Sequence, residues 1–303
     1  MVDERFSTLP PWPKVAFVGS ASESAVVLAS LLEAGIEPLV VLCGPPARRG
    51  RGGRVTLNEV EVLASSKGIS VVHRQEELLG FQAELGVVVA YGRILRAAAL
   101  AWAPMVNVHF SLLPRWRGAA PVERALLAGD SVTGVCLMEV SAGLDEGAVF
   151  ARRELPIVPA DTAKSLRSEL SVAGAELLLE ALKAGANGFA NPQAQTGEVT
   201  YASKLDPAEL RVDFSAPAAY ALRQIAVGGA WCRWQDKRIK LLRAHQAEAQ
   251  GLDELTPGLV EGNLVACGEG MLAVDALQPE GKKPMEFAAW RRGIPQDALV
   301  RFE

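Results

Sequence analysis

The sequence is poor in the residues that build disulfide frames, metal clusters and membrane anchors. Among 303 residues there are four cysteines, Cys43, Cys136, Cys232 and Cys267, far apart and with no CxxC pair. The three histidines complete no zinc spacing, and no metal is expected. A reduced, cytoplasmic setting is the simple reading. The longest apolar stretches are broken by Glu33, Gly35, Glu37 and Pro38, so none approaches the roughly 20 residues that a membrane span needs. The opening Met1-Val-Asp-Glu-Arg-Phe6 lacks the basic and apolar regions of a leader. Net charge is −4, so no global positive field draws nucleic acid and any such contact has to be local. Gly19-Ser-Ala-Ser22 is not Gly-x-Gly-x-x-Gly, which leaves dinucleotide binding without a fingerprint.

Half the residues are apolar, ample for a sizeable core, and the length suggests about two domains. Val15 to Val18 is a short apolar run ending at Gly19. Ser20 to Glu23 can cap a helix that continues through Val26, Val27, Leu31 and Leu32. Pro38 to Cys43 reads as a second strand. Thr56 to Lys67 follows as a helix, and Ile69 to Val72 and Leu85 to Ala90 as strands. This rhythm predicts an α/β fold with a parallel sheet and right-handed crossovers. His73, beside Arg74 and without a partner in sequence, reads as a surface histidine.

Met105 to Phe110 is a further strand. It carries Asn107 and His109 two positions apart, hence on one face, near its carboxyl end. Ligands of open α/β sheets sit beyond that end. A histidine inside an apolar strand is also often a satisfied core residue, and position alone leaves both readings open. Val132 to Val140 and Ala148 to Leu155 predict an antiparallel pair around a loop where Gly143 and Gly147 bracket Asp145. Asp161-Thr162 caps a helix running to about Leu182; Lys183 to Gln195 then loses periodicity.

From about Pro207 the texture changes. One helix, Ala216 to Ala226, precedes five short strand-like runs: Trp231–Trp234, Ile239–Ala244, Gly258–Val260, Leu264–Cys267 and Met271–Ala276. They predict a small OB-like β-barrel. Two basic elements stand out on this acidic chain. Arg48, Arg49, Arg51 and Arg54 lie in a Gly/Pro-rich loop without an acid. Arg233, Lys237, Arg238, Lys240 and Arg243 surround the single acid Asp236. A solvated face and a phosphate-backbone contact both account for such runs.

The run Asn107-Val-His109-Phe-Ser-Leu-Leu-Pro114-Arg-Trp-Arg-Gly-Ala-Ala-Pro121, with Gly143-Leu-Asp-Glu-Gly147, resembles the formyltetrahydrofolate-dependent formyltransferases. Val199 to Leu205, Leu277 to Met285 and the basic loop extend the likeness over the whole length, toward the branch that formylates initiator methionyl-tRNA. The resemblance implies a Rossmann-like catalytic domain over 1–190, a linker over 191–206 and an OB-like tRNA-binding domain over 207–303. It implies catalytic roles for Asn107, His109 and Asp145. Folate contacts fall on Ser111, Leu112, Leu113 and Pro114, with Arg93, Ile94 and Leu95 as further walls. tRNA contacts fall on Arg48, Arg49, Arg51 and Arg54, and the C-terminal domain adds Arg233, Lys237, Arg238 and Lys240. The implied formyl donor is 10-formyltetrahydrofolate, released as tetrahydrofolate by a monomeric enzyme. A sugar-nucleotide formyltransferase or a formyl-folate hydrolase domain is the alternative within the family.

Three positions depart from the family pattern: Gly19-Ser-Ala-Ser-Glu23 in place of Gly-Thr-Pro-x-Phe, Ile225 to Gly229 without the usual prolines, and Phe110 where glycine is common. A model α-amino group has a pKa of about 7.7–8.0, so deprotonating the acceptor is not the main obstacle. The tetrahedral oxyanion is. Asn107 and a protonated His109 are expected to donate to it, each such donor contributing about 3–4 kcal/mol, with Asp145 orienting His109.

Overall fold

The computed structural model describes residues 3–49, 53–248 and 256–303. The chain divides into two compact units. One comprises Met1–Val122, Ser131–Val158 and Ser165–Ser203; the other comprises Glu123–Asp130, Pro159–Lys164 and Lys204–Glu303.

The elements run in order as β1 (Val15–Gly19), α1 (Ser22–Glu33), β2 (Val40–Leu42), β3 (Ala47–Arg49), β4 (Arg54–Thr56), α2 (Glu59–Ser66), β5 (Val71–Val72) and β6 (Leu85–Val89). Then come α3 (Ala97–Trp102), β7 (Met105–His109), β8 (Arg117–Gly118), α4 (Pro121–Ala128), β9 (Val132–Glu139), β10 (Val149–Pro156), α5 (Ala163–Ala184) and β11 (Tyr201–Ala202). Seven strands form one sheet in the order β10-β9-β7-β6-β1-β2-β5. The five from β7 to β5 are mutually parallel, and β9 and β10 continue the sheet antiparallel. Every residue of β1, β2 and β6 is buried, as continuous Val/Leu/Phe runs covered on both faces require.

Some details differ from the sequence reading. No side chain of Ser20 to Glu23 caps α1. Its first turn is instead held by the buried Ser24, whose hydroxyl accepts from Ala21 N–H at 3.2 Å and donates to the Val89 carbonyl at 2.6 Å. The departure at Gly19–Glu23 thus carries its own link between α1 and the end of β6. The loop after β2 contains a short antiparallel pair, β3 with β4, in which Arg48 faces Val55. Of the expected linker 191–206, residues 191–203 belong to the first unit: Gln193 and Val149 exchange backbone hydrogen bonds, and β11 lies parallel to β8. Isolated bridges and two-residue strands leave no period to read, which is why this stretch looks like a linker in sequence.

The second unit holds α6 (Ala218–Val227), β12 (Trp231–Trp234), β13 (Lys237–Ala247), β14 (Val260–Glu261), β15 (Leu264–Ala266), β16 (Met271–Pro279), β17 (Met285–Glu286) and α7 (Phe287–Arg291). Its antiparallel sheet runs β12-β13-β16-β15-β14, with β17 beside β16. The chain end joins the two outer strands. Phe302 N–H donates to the Gly258 carbonyl at 2.8 Å and Val260 N–H to the Val300 carbonyl at 2.9 Å, while Arg233 and Glu303 exchange bonds of 2.7 and 2.9 Å. The sheet therefore closes around Ile239, Leu241, Leu272, Val274, Phe287, Trp290 and Phe302. A closed sheet has no bare edge to template aggregation. Among the described residues no helix is long and apolar enough to cross a membrane.

Candidate functional site

β7 is buried between β6 and β9, and alternation sends Asn107 and His109 to one face near its carboxyl end. His109 is almost wholly buried, at 5 % exposure. Its Nε2 lies 2.9 Å from the Trp116 carbonyl. A carbonyl only accepts, so Nε2 carries a proton and donates it there. The other nitrogen, Nδ1, faces Asp145 Oδ2 at 3.7 Å. Asp145 Oδ2 also accepts from the Gly118 N–H at 2.8 Å. Among the described residues no donor reaches the second Asp145 oxygen or the half-buried Asn107 amide. The arrangement thus offers one free amide, one free carboxylate oxygen and one oriented imidazole. The donation from His109 to an oxyanion expected from sequence has to come from Nδ1, because Nε2 is committed.

The backbone around these groups is held in uncommon conformations. Asp145 has φ +50° and Trp116 φ +62°, both in the left-handed region where non-glycine residues are uncommon. Gly118 has φ +122°, and a Cβ there would lie 2.8 Å from the Ala202 carbonyl oxygen. At Gly147 a Cβ would meet the Glu139 carbonyl oxygen at 1.9 Å. Both positions need glycine. Gln195 closes the loop: its amide nitrogen donates to the carbonyls of Asp145 and Gly147 at 2.8 Å each, and its oxygen accepts from Arg117 at 2.8 and 3.0 Å. Thr200 accepts from Trp116 N–H through its hydroxyl at 2.9 Å. Sequence reasoning missed Gln195, Thr200, the Trp116 carbonyl and the Gly118 N–H. The motif Val199 to Leu205 was the one available signal, and it came without roles.

The segment after β7 behaves unevenly. Ser111 is fully buried and spends its hydroxyl on the Arg115 carbonyl at 2.6 Å; Leu113 is buried with Cys136, Met138 and Val149. Leu112 and Pro114 are half-buried. Arg93 and Ile94 are open, Ile94 at 86 %, whereas Leu95 packs onto the core beside Tyr91 and Ala99. A cavity of about 530 Å³ in the second unit, between Arg211–Ser215 and Arg301–Glu303, contains none of the predicted residues. Side-chain convergence, not cavity size, therefore marks the candidate site.

Of the first basic element, Arg48 is exposed on β3. Arg51 and the side chains of Arg49 and Arg54 lie outside the described residues. On the second element, Arg233 pairs with Arg238 and Trp231 with Lys240 across β12 and β13, so all four share the outer face. Arg238 stacks on the Trp231 ring at 4.3 Å. Lys237 stands exposed at the hairpin tip, and Arg243 is engaged by Glu286 at 2.8 Å. His73, expected at the surface without a partner in sequence, keeps a side chain 34 % exposed and gains partners from distant elements. His73 Nε2 lies 3.4 Å from Glu61 Oε1 and Nδ1 3.9 Å from Cys43 Sγ, partners that β2 and α2 bring from afar.

Residues 13–182 match the formyl transferase family, and residues 204–295 match the formyl transferase C-terminal domain. A relative from Dinoroseobacter shibae, named methionyl-tRNA formyltransferase, is 40 % identical over 305 residues, spanning 95 % of this chain and 99 % of its own. The structure of HypX from Aquifex aeolicus in complex with tetrahydrofolic acid superposes with a TM-score of 0.63 at 15 % identity. It covers 96 % of this chain, which spans about half (51 %) of HypX. WlaRD, a sugar 3N-formyl transferase solved in the presence of dTDP and 5-N-formyl-THF, gives a TM-score of 0.66 at 17 % identity over 90 % of this chain and 99 % of its own. The last two are likenesses of fold.

Proposed function

The chain belongs to the formyl transferase family, and from that premise we propose that it transfers a formyl group from 10-formyltetrahydrofolate to the α-amine of initiator methionyl-tRNA. The observation that carries this reading is the 40 % identity, over nearly the full length of both chains, to a relative named for that activity. The convergence of Asn107, His109 and Asp145 at the end of β7 supports it independently.

In this reading the amine nitrogen bonds to the formyl carbon, the bond from that carbon to the folate nitrogen breaks, and the amine proton passes to the departing folate. Asn107 donates its free amide N–H to the formyl oxygen as that oxygen gains charge. The free oxygen of Asp145 accepts the amine proton, while Gly118 holds the other oxygen in place. His109, fixed at Nε2 by the Trp116 carbonyl, takes that proton from Asp145 at Nδ1, is stabilised as the imidazolium by the carboxylate beside it, and hands the proton on to the leaving nitrogen. Leu112, Pro114, Ile94 and Arg93 line the folate. Ser111, Leu113 and Leu95 hold that wall in shape. The Arg48–Arg54 hairpin, and the outer face of Arg233, Arg238 and Lys240 with Lys237 at its tip, contact tRNA phosphates. The enzyme acts as a monomer in the cytoplasm.

Purified protein incubated with 10-formyltetrahydrofolate and charged initiator tRNA will release formyl-methionine on ester hydrolysis. Formylation of amino-sugar nucleotides with none on the tRNA would overturn the acceptor and leave the donor standing.

A further inference from the structure

Three elements bring a thiol, a carboxylate and an imidazole together outside the β7 site. Cys43 follows β2, Glu61 lies in the first turns of α2, and His73 follows β5. One ligand atom from each lies within 4.8 Å of the other two. Cys43 is fully buried and Glu61 is 8 % exposed. The His73 side chain is 34 % exposed, which gives the cluster a route to solvent.

An ion pair between His73 and Glu61 accounts for Oε1 alone. The second carboxylate oxygen, Glu61 Oε2, is buried with no hydrogen-bond partner among the described residues. Leaving a buried acceptor unpaired costs about 1–3 kcal/mol, more for a charged group. The Cys43 sulfur stands 3.9 Å from the same imidazole, too far for a strong bond. A cation among the three groups would use all of them.

We infer that Cys43, Glu61 and His73 bind one divalent transition ion of the zinc class. The donor set is one sulfur, one nitrogen and one carboxylate oxygen. Thiolate and imidazole select zinc-like ions over magnesium or calcium, which take oxygen ligands. Zinc bonds of about 2.3 Å to sulfur and about 2.0–2.2 Å to nitrogen and oxygen set tetrahedral ligand separations of roughly 3.3–3.6 Å. The observed spacing is within reach of that by small side-chain rotations. The exposed side of His73 leaves the fourth position to water. On binding, the Cys43 thiol loses its proton to solvent.

The position gives the ion a structural consequence. Residues 44–58, which carry the basic β3–β4 hairpin, start and end at this cluster. Asn58 caps α2 by accepting from Glu61 N–H at 2.9 Å, and its amide donates to the Gly44 carbonyl at 3.0 Å. Gly44 N–H in turn donates to Ser20 Oγ at 2.8 Å. An ion held by Cys43 and Glu61 clamps both feet of the hairpin at the same point. Bound zinc therefore slows proteolysis within 45–57.

The test uses full-length protein and metal alone. Isothermal titration with zinc chloride is expected to show one site per chain with sub-micromolar affinity. Cys43→Ser, Glu61→Gln and His73→Asn should each weaken it by at least about tenfold, while Cys267→Ser leaves it unchanged. Cobalt should give the wild type a thiolate-to-metal charge-transfer band that Cys43→Ser abolishes. If the variants do not fold, the wild-type cobalt spectrum decides. No charge-transfer band, or no zinc binding at micromolar concentration, overturns the proposal. None of these readouts depends on formyl transfer.

Discussion

His109 and His73 make an informative pair. Each lies at the carboxyl end of a parallel strand of the same sheet, His109 closing β7 and His73 following β5, and each has a carboxylate within 4 Å. Their surroundings differ. Around His109 the protein has supplied partners: the Trp116 carbonyl for Nε2, the Gly118 N–H for Asp145 and Gln195 for the loop that carries Asp145. Around His73 the supply is partial: Nδ1 lies 3.4 Å from the Cys43 carbonyl and Nε2 3.4 Å from Glu61 Oε1, but among the described residues Glu61 Oε2 is buried without a partner and the Cys43 thiol has only a long contact with the ring. An imidazole–carboxylate pair braced by backbone groups, with its one open oxygen on a partly exposed carboxylate, is preorganised to act on a substrate. An incompletely satisfied one is preorganised to receive a ligand.

The largest effects should separate the two pairs outright. Asp145→Asn and Asn107→Ala are each expected to lower kcat/KM for formyl transfer by about a hundredfold or more, with tRNA affinity nearly unchanged. Glu61→Gln should leave kcat within about twofold while weakening zinc binding by at least about tenfold. If Glu61→Gln costs as much activity as Asp145→Asn, the two clusters are one functional unit and the contrast fails.

A smaller effect should come from the bracing itself. Gln195 touches neither Asn107 nor the imidazole; it fixes the carbonyls on either side of Glu146 and orients Arg117. As a positioning residue it should lower kcat by about tenfold on truncation to alanine, with the KM for folate little altered. A pH–rate profile whose limbs shift in Gln195→Ala would show that the loop sets the proton-transfer geometry. An unmoved profile with lower protein stability would make Gln195 merely structural.

What the sequence discloses depends on which groups do the work. β1 and β6 are legible because strands buried on both faces need unbroken apolar runs, and β7 because Met105, Val106 and Val108 keep that character around its two polar residues. Asn107 and His109 are legible as a pair because the strand period is two. Asp145 becomes their partner only through the resemblance, since nothing in spacing joins it to β7. The Trp116 carbonyl and Gly118 N–H are invisible in principle, being backbone groups present at every residue. The helix Ala97–Trp102 and the segments β8, β11, β17 and α7 are too short to show a period. Cys43, Glu61 and His73 match no metal spacing because sheet order, placing β2 next to β5, assembles them.

Closer to the His73 cluster, Arg48 tests whether the hairpin and the metal site are separate in function. Arg48→Ala should weaken tRNA binding a few-fold and reduce the slope of log affinity against log salt by about 0.7–0.9, the contribution of one phosphate contact. Zinc affinity should stay unchanged, because Arg48 donates to none of the three ligands. An unchanged salt slope would remove the hairpin from the tRNA interface without touching the metal proposal.

The smallest expected effect belongs to a third charged pair, whose carboxylate is more exposed than the other two. Asp3 caps a short 3-10 turn, Glu4–Thr8, that precedes β1, and accepts 2.5–3.0 Å hydrogen bonds from the Arg5 guanidinium, which hold its carboxyl below the usual aspartate range despite partial burial. The same bonds raise the Arg5 guanidinium, so both partners report one stabilised pair. A depressed folded-state pKa contributes stability above the unfolded value of about 3.9 and loses it as pH falls through the folded value. Arg5 is 42 % exposed and Asp3 28 %, so solvent screening limits the contribution to below about 1 kcal/mol. Asp3→Asn keeps the cap and removes only the charge. In urea unfolding at low salt the variant should therefore be slightly less stable at pH 7. The gap should close toward the lowest pH at which the wild type remains folded. A gap that persists there would assign the effect to the cap rather than the ion pair, and would show that exposure does not set the scale of these three carboxylates.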